Sequence, residues 1–404
     1  MKKKCKYCQI ICLIRQTEAS GKPIPSCLLK ALANVKCKKK TEHSSPVIPP
    51  VISSSPVIGP YLQIIPDVLY PPNGVSLFKD FSLNIQYYNQ GNFYTTYEHL
   101  VSDETGGPSS FSKKNLRSDE NPSGFSIGPY GMTQASSVKA IQNFFSSKYG
   151  NVPEIVKNSV VIGKPLTEDA ASNGFVDLGT LKDWINMAQS SNINVGGLMF
   201  WSAGFYDDDY PSDKLFTETF SSLQGPHKVM YIGAGPTGQV HTADGSTVYA
   251  QGSDPDGSAA RKVLMSYAET GYTELILAFW NYTANSDWII DWTSINKDAQ
   301  KQLMDDIHAQ NPNCKVLVSA GGAYGNVGPN SGVSGTDWGK ALAQYAVDNN
   351  LDGVDLDLEG AMLGTQWSSE QYQWLKDAVN GIASVSKDLM VSFAPVGPLC
   401  ANPN

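Results

Sequence analysis

The sequence predicts a single (β/α)8 barrel. Eight short apolar runs of strand length alternate with segments of helical spacing, the alternation of a parallel barrel. One run, Leu351-Asp352-Gly353-Val354-Asp355-Leu356-Asp357-Leu358-Glu359-Gly360, keeps a strict period of two. Only residues 224–227 separate the helical pattern at 212–223 from the strand pattern at 228–232. Such a link is ordinary inside a barrel and short for two independent domains.

From Gly59 the pattern becomes globular. Residues 81–89 read as a strand ending in the polar aromatic cluster Gln86-Tyr87-Tyr88-Asn89. A Gly-, Ser- and Asn-rich stretch then runs to about Met132, long enough for a functional or mobile connection. Residues 136–148 form a helix with Val138, Ile141, Phe144 and Phe145 on one side. The strand at 159–163 and the helix at 180–190 follow, then the strand at 195–201 and the helix at 212–223. After the strand at 228–232 come a helix at 258–269, a strand at 274–280 and a helix at 294–310. The apolar run Lys315-Val316-Leu317-Val318, a helix at 336–349, the acidic strand, a helix at 368–383 and a strand at 388–394 complete the set.

In the acidic strand, alternation sends Asp355, Asp357 and Glu359 to one face and Val354, Leu356 and Leu358 to the other. Three carboxylates crowded on a buried face repel as anions, so protons are shared among them. A carboxyl held neutral near pH 7 is what a general acid requires. A solvated acidic strand would not need a continuous aliphatic partner face. A calcium loop would need a mid-loop glycine and a twelfth-position acid, both missing here.

Composition narrows the function further. Of 30 basic and 38 acidic residues, eleven and one lie within residues 1–40, leaving nineteen against thirty-seven in the body. An acidic body argues against nucleic acid as partner. Cys5, Cys8, Cys12, Cys27 and Cys37 fall in the basic leader, leaving Cys314 and Cys400, which is no disulfide scaffold. The leader's spacings match no regular zinc site, and no metal or cofactor is expected. No transmembrane run is present, and residues 9–14 are too short for a secretory apolar region. Residues 1–54 read as a disordered leader and Pro/Ser linker, and 55–404 as the barrel.

The acidic strand resembles the Asp-x-x-Asp-x-Asp-x-Glu signature of glycoside hydrolase family 18, through Asp352, Asp355, Asp357 and Glu359. Ser319-Ala320-Gly321-Gly322 resembles that family's Ser-x-Gly-Gly motif one strand earlier. The 86–89 cluster is similar to the sixth-strand Gln-x-Tyr-Asn of plant-type members. Gly196-Gly197-Leu198-Met199-Phe200-Trp201-Ser202 is similar to their eighth-strand motif. In that frame the strands run 6-7-8-1-2-3-4-5, with a back half at 55–225 and a front half at 226–404. A circular permutant closing one barrel and a fragment of a tandem array compete to explain this order. The short link favours closure, since two half barrels would leave exposed edges. The near-repeat of Pro56-Val57-Ile58-Gly59-Pro60 in Ala394-Pro395-Val396-Gly397-Pro398 marks the break.

The resemblance implies a chitinase that cleaves β-1,4 bonds next to N-acetylglucosamine by substrate-assisted retention. Glu359 is the implied proton donor, Asp357 orients the acetamido group, Asp355 holds Asp357, and Tyr88 donates to the acetamido oxygen. Trp201 is the implied floor under the reacting sugar, with Gln86, Tyr231 and Phe279 as further candidates for sugar contact. Ser319, Gly321 and Gly322 are structural, as is Asp352 at the strand's beginning. Val396 departs from the Glu or Gln that many members carry there. Chitin or a related oligosaccharide is the implied partner of a monomer, without membrane or nucleic acid, and extracellular residence follows only from the resemblance. An endo-β-N-acetylglucosaminidase acting on N-glycans and a non-catalytic lectin on the same barrel are the alternatives. A retained Glu359 favours an enzyme over the lectin.

Overall fold

Eight parallel strands close into a barrel in which each pairs with the next in sequence. They are β1 (Phe81–Gln86), β2 (Val160–Pro165), β3 (Gly197–Trp201), β4 (His227–Ile232), β5 (Glu274–Trp280), β6 (Lys315–Gly321), β7 (Gly353–Asp357) and β8 (Met390–Phe393). The ring is sealed by β8 against β1, with Val391 opposite Phe81 and Phe393 opposite Leu83. This computed structural model describes residues 57–89, 94–102, 137–206, 211–233, 235, 238–250, 252–281, 285–322, 327–359 and 366–396. The basic leader, Cys400, most of the long connection after β1 and the run Asp207-Asp208-Asp209 fall outside them.

Alternation along the strands divides the molecule into two apolar regions. On β1, Phe81, Leu83 and Ile85 point outward into the shell beneath the helices, while Ser82, Asn84 and Gln86 line the barrel. Val161, Met199, Val229, Ile276, Leu317 and Met390 fill the interior as a separate cluster. The barrel is therefore packed rather than hollow, and chemistry can occur only at a strand end.

The helices around it are α1 (Pro60–Ile64), α2 (Val138–Tyr149), α3 (Leu178–Ser190), α4 (Asp213–Ser222), α5 (Ser258–Thr270), α6 (Lys297–Gln310), α7 (Gly335–Asp348) and α8 (Ser369–Val385). Most begin where a side chain can cap the first turn. Ser137, Asp177, Ser212, Asn296, Ser334 and Ser368 each accept a hydrogen bond from a first-turn backbone N–H. The expected starts consequently lie within three residues of those observed.

Several elements were not anticipated. Helix α1 starts one residue after the left-handed Gly59, with Pro60 in its first turn, and runs into the wider turn Ile65–Leu69. Short helices occupy Glu154–Asn158 and Asp287–Ser294, and Gln239–His241 pairs with Thr247–Tyr249 as a hairpin after β4. The two-residue strand Val57–Ile58 pairs antiparallel with Gln366–Trp367. Tyr61 in α1 then packs edge-on against Trp367 and Phe393, with centroids 5.3 and 5.8 Å away. The first described residues are thus stitched to the last strands, and the closed ring excludes two separate half barrels. Tyr61→Ala should remove this stitch and lower unfolding free energy by about 3 kcal/mol, read as a lower urea midpoint at unchanged slope.

Candidate active site

The carboxyl end of β7 brings three acids to the mouth of the barrel. Asp355 lies deepest and is fully buried. Its Oδ2 accepts hydrogen bonds from Tyr231 Oη at 2.7 Å and Ser319 Oγ at 2.6 Å. Its Oδ1 accepts from Ser392 Oγ at 2.6 Å. Burial raises the Asp355 pKa, and the three hydroxyls work against that rise. They come from β4, β6 and β8, so this one carboxylate ties β7 to three other strands of the barrel.

Asp357 is 2 % exposed and takes a hydrogen bond from Gln86 Nε2 at 2.9 Å. The same amide nitrogen reaches Glu359 Oε1 at 3.4 Å and the carbonyl of Ala394 at 2.8 Å. Gln86 Nε2 therefore bridges Asp357 and Glu359. Burial holds Asp357 well above the ordinary carboxylate range, and the neighbouring charges of Glu359 and Asp355 add to it. Burial raises Glu359 too, against the bonds from Gln86 and Asp357. Both acids are thus held above their ordinary range, and they titrate as a pair. Asp355 reaches Asp357 through charge and not through a hydrogen bond.

Aromatic groups surround the acids. The half-buried Trp201 stacks on Phe279 with centroids 5.5 Å apart and planes at 25°. Phe279 occupies the register shift between Ala278 and Trp280, which turns its ring inward against strict alternation. Tyr88 is 4 % exposed, and among the described residues its hydroxyl has no hydrogen-bond partner. Burial and the charges of Asp357, Glu359 and Asp355 push its pKa well up, so the phenol stays protonated and can only donate or accept through its neutral O–H. Gly321 and Gly322 adopt φ of 115° and 74°. A Cβ on Gly321 would meet the Asp357 carbonyl at 2.1 Å, and one on Gly322 would press on the Phe279 ring at 3.0 Å.

Tyr231, open between sugar contact and packing, is 1 % exposed and its hydroxyl is committed to Asp355. It lies beside Trp201, with ring centroids 5.6 Å apart, and orients an acid instead of facing solvent. Asp352 stands directly before β7. It lies at the other end of β7, where Oδ2 accepts from the Val316 backbone N–H at 2.9 Å and pairs with His308 Nε2 at 3.0 Å. Val396 makes a parallel bridge to Gln86 and so borders the site. Ser392 was missed, although period-two reading of β8 from Met390 would have turned it inward. Among the described residues no cluster of His, Cys, Asp and Glu could hold a metal ion.

Neither a family model nor a curated protein matches the chain. Among solved structures, a GH18 chitinase from Pseudoalteromonas aurantia is similar with a TM-score of 0.24 and 23 % identity, over 34 % of this chain and 52 % of that one. The catalytic domain of a mannanase from Streptomyces sp. SirexAA-E gives 0.28 and 10 %, over 59 % and 67 %. The arginine decarboxylase of Paramecium bursaria Chlorella virus gives 0.24 and 11 %, over 54 % and 55 %. The chain spans about half the length of the chitinase it matches. Likenesses this distant carry no argument about activity, and the barrel stands on its own strand pairing.

The raised pair makes stability depend on pH. A carboxyl whose folded pKa lies above its unfolded value binds its proton more tightly when folded. Its contribution is greatest below the ordinary value of 3.8 for Asp357 and is lost as pH rises through the folded pKa. Asp357→Asn removes that loss. The melting temperature of wild type relative to Asp357→Asn should therefore fall as pH rises from about 4 to 8, as thermal melts across that range would show.

Proposed function

We propose that the protein is a glycoside hydrolase of the family 18 type that cleaves β-1,4 linkages beside N-acetylglucosamine, with chitin oligosaccharides as the substrate class. The observation that carries this reading is that one amide nitrogen, Gln86 Nε2, contacts both Asp357 Oδ1 and Glu359 Oε1. In the usual two-carboxylate schemes the acids work on opposite sides of the sugar. Two carboxyl groups held on one amide nitrogen stand side by side and do not flank a sugar ring. Asp355, fully buried and bonded by three hydroxyls, is no available nucleophile. The substrate must then bring its own, and an acetamido oxygen at the 2-position suits that role.

In this scheme Glu359 delivers its proton to the glycosidic oxygen and draws the proton of the neighbouring Asp357 carboxyl. Asp357 is left as an anion beside the developing oxazolinium cation, a favourable charge placement in a site of low dielectric. The Tyr88 hydroxyl donates to the acetamido oxygen and Gln86 holds the acid pair in register. Trp201 offers its indole to the C–H face of the sugar, with Phe279 stacked behind it. The strand order is that of a rotated barrel.

Chitooligosaccharide hydrolysis by wild type and Glu359→Gln tests the reading. Wild type should release products with the β-anomer retained and leave oligosaccharides lacking the N-acetyl group intact. Glu359→Gln should fold normally and lose about 10²–10⁴-fold in rate. If both fold and bind but neither cleaves, the lectin alternative replaces the enzyme. Trp201→Ala should raise KM by roughly tenfold, the value of about one aromatic contact of ~1.4 kcal/mol, as steady-state kinetics would show.

A further inference from the structure

Lys164, near the end of β2, is fully buried and plays no part in the chemistry above. Alternation puts Val161 inside the barrel and Lys164 outside it. Its ammonium donates to the carbonyls of Tyr87 at 2.9 Å, Tyr94 at 2.7 Å and Gly174 at 3.1 Å. Among the described residues no carboxylate pairs with it, and burial pushes its pKa down to about 7. Three N–H groups meet three carbonyls, a match that only the protonated amine supplies. The carbonyls belong to two segments, one following β1 and one following β2.

Both segments bear on Tyr88. Tyr87 precedes it directly, and a Cβ on Gly174 would lie 2.7 Å from the Tyr88 Cα, so the two backbones are in contact. Asn89, on the other side, donates its backbone N–H to Asn173 O at 3.2 Å. Its Oδ1 accepts from Ser172 N at 3.0 Å and Ser172 Oγ at 2.9 Å. These bonds join the segments beyond Tyr88, and Lys164 joins them before it.

We propose that Lys164 is a positioning residue whose ammonium clamps the segments after β1 and β2 together, fixing the Tyr88 hydroxyl over the acid pair. Its effect on turnover rests on the proposed function, whereas its effect on the backbone does not. An apolar side chain of similar length would withdraw the Lys164 hydrogen bonds from all three carbonyls and release the segment that carries Tyr88.

The test combines Lys164→Met, Tyr88→Phe and the double variant, with Lys164→Gln as a milder change that keeps two donors. Amide hydrogen exchange at 87–89 and 172–174 should quicken about tenfold or more in Lys164→Met, while β5 to β7 keep wild-type rates. On chitooligosaccharides kcat should fall about tenfold with KM within about twofold, and this loss should vanish in the Tyr88→Phe background. Unchanged exchange, exchange raised evenly over the barrel, or fully additive losses in the double variant would each overturn the clamp. So would failure of both Lys164 variants to fold, which would make Lys164 a general core residue. A folded wild type that cleaves nothing would fail the proposed function alone, and hydrogen exchange would then decide the clamp.

Discussion

The barrel mouth depends on one buried carboxylate. Among the described residues no cation pairs with Asp355; three neutral hydroxyls from three other strands meet it instead. An unpaired buried charge is costly, and hydrogen bonds to the charged form are the means left to offset that cost. This arrangement spends the hydroxyls of Tyr231, Ser319 and Ser392 on Asp355 and leaves none for Asp357. Asp357 takes the Gln86 amide instead, which also reaches Glu359 toward the open end. Exposure along this run therefore rises from the fully buried Asp355 through Asp357 to the half-buried Glu359.

Much of this was legible because strands alternate. Period two placed Asp355, Asp357 and Glu359 on one face, whereas Gln86 was reached through the family resemblance. Alternation could not assign Tyr231. An inward tyrosine can present its ring to a ligand or its hydroxyl to a buried acid, and only the neighbouring strand decides which. Phe279 escaped the rule for another reason, since the register shift after Ala278 turns an outward position inward. Such shifts leave little trace in a run as uniformly apolar as Leu275-Ile276-Leu277-Ala278-Phe279-Trp280.

The fold was read more completely than its insertions. Helix starts carry Ser, Asp or Asn caps, which a sequence displays openly. The hairpin after β4 and the helix Asp287–Ser294 after β5 have no comparable periodicity over enough residues. Lys164 illustrates the opposite difficulty. A lysine between Gly163 and Pro165 looks like a solvated strand end, and nothing local reveals the carbonyls of Tyr87, Tyr94 and Gly174 that converge on it.

The two ends of the barrel hold comparable buried acid clusters, and they differ in how far each opens to solution. At the amino end His227 Nδ1 meets Glu274 Oε1 at 2.5 Å, and Ser82 Oγ lies 3.4 Å from the other oxygen. Burial acts to lower the His227 pKa, but Glu274 and Asp80 outweigh it and the net shift is upward. His227 and Glu274 are each 2 % exposed, so this pair exchanges protons with nothing that binds from solution. At the carboxyl end Glu359 and Trp201 are both half-buried, close to the fully shielded Asp355. A general acid must be dry enough to hold its proton and open enough to meet its substrate. The carboxyl end meets both conditions because β7 ends at Asp357 and the chain leaves the barrel at Glu359, two residues beyond the last fully buried turn of alternation.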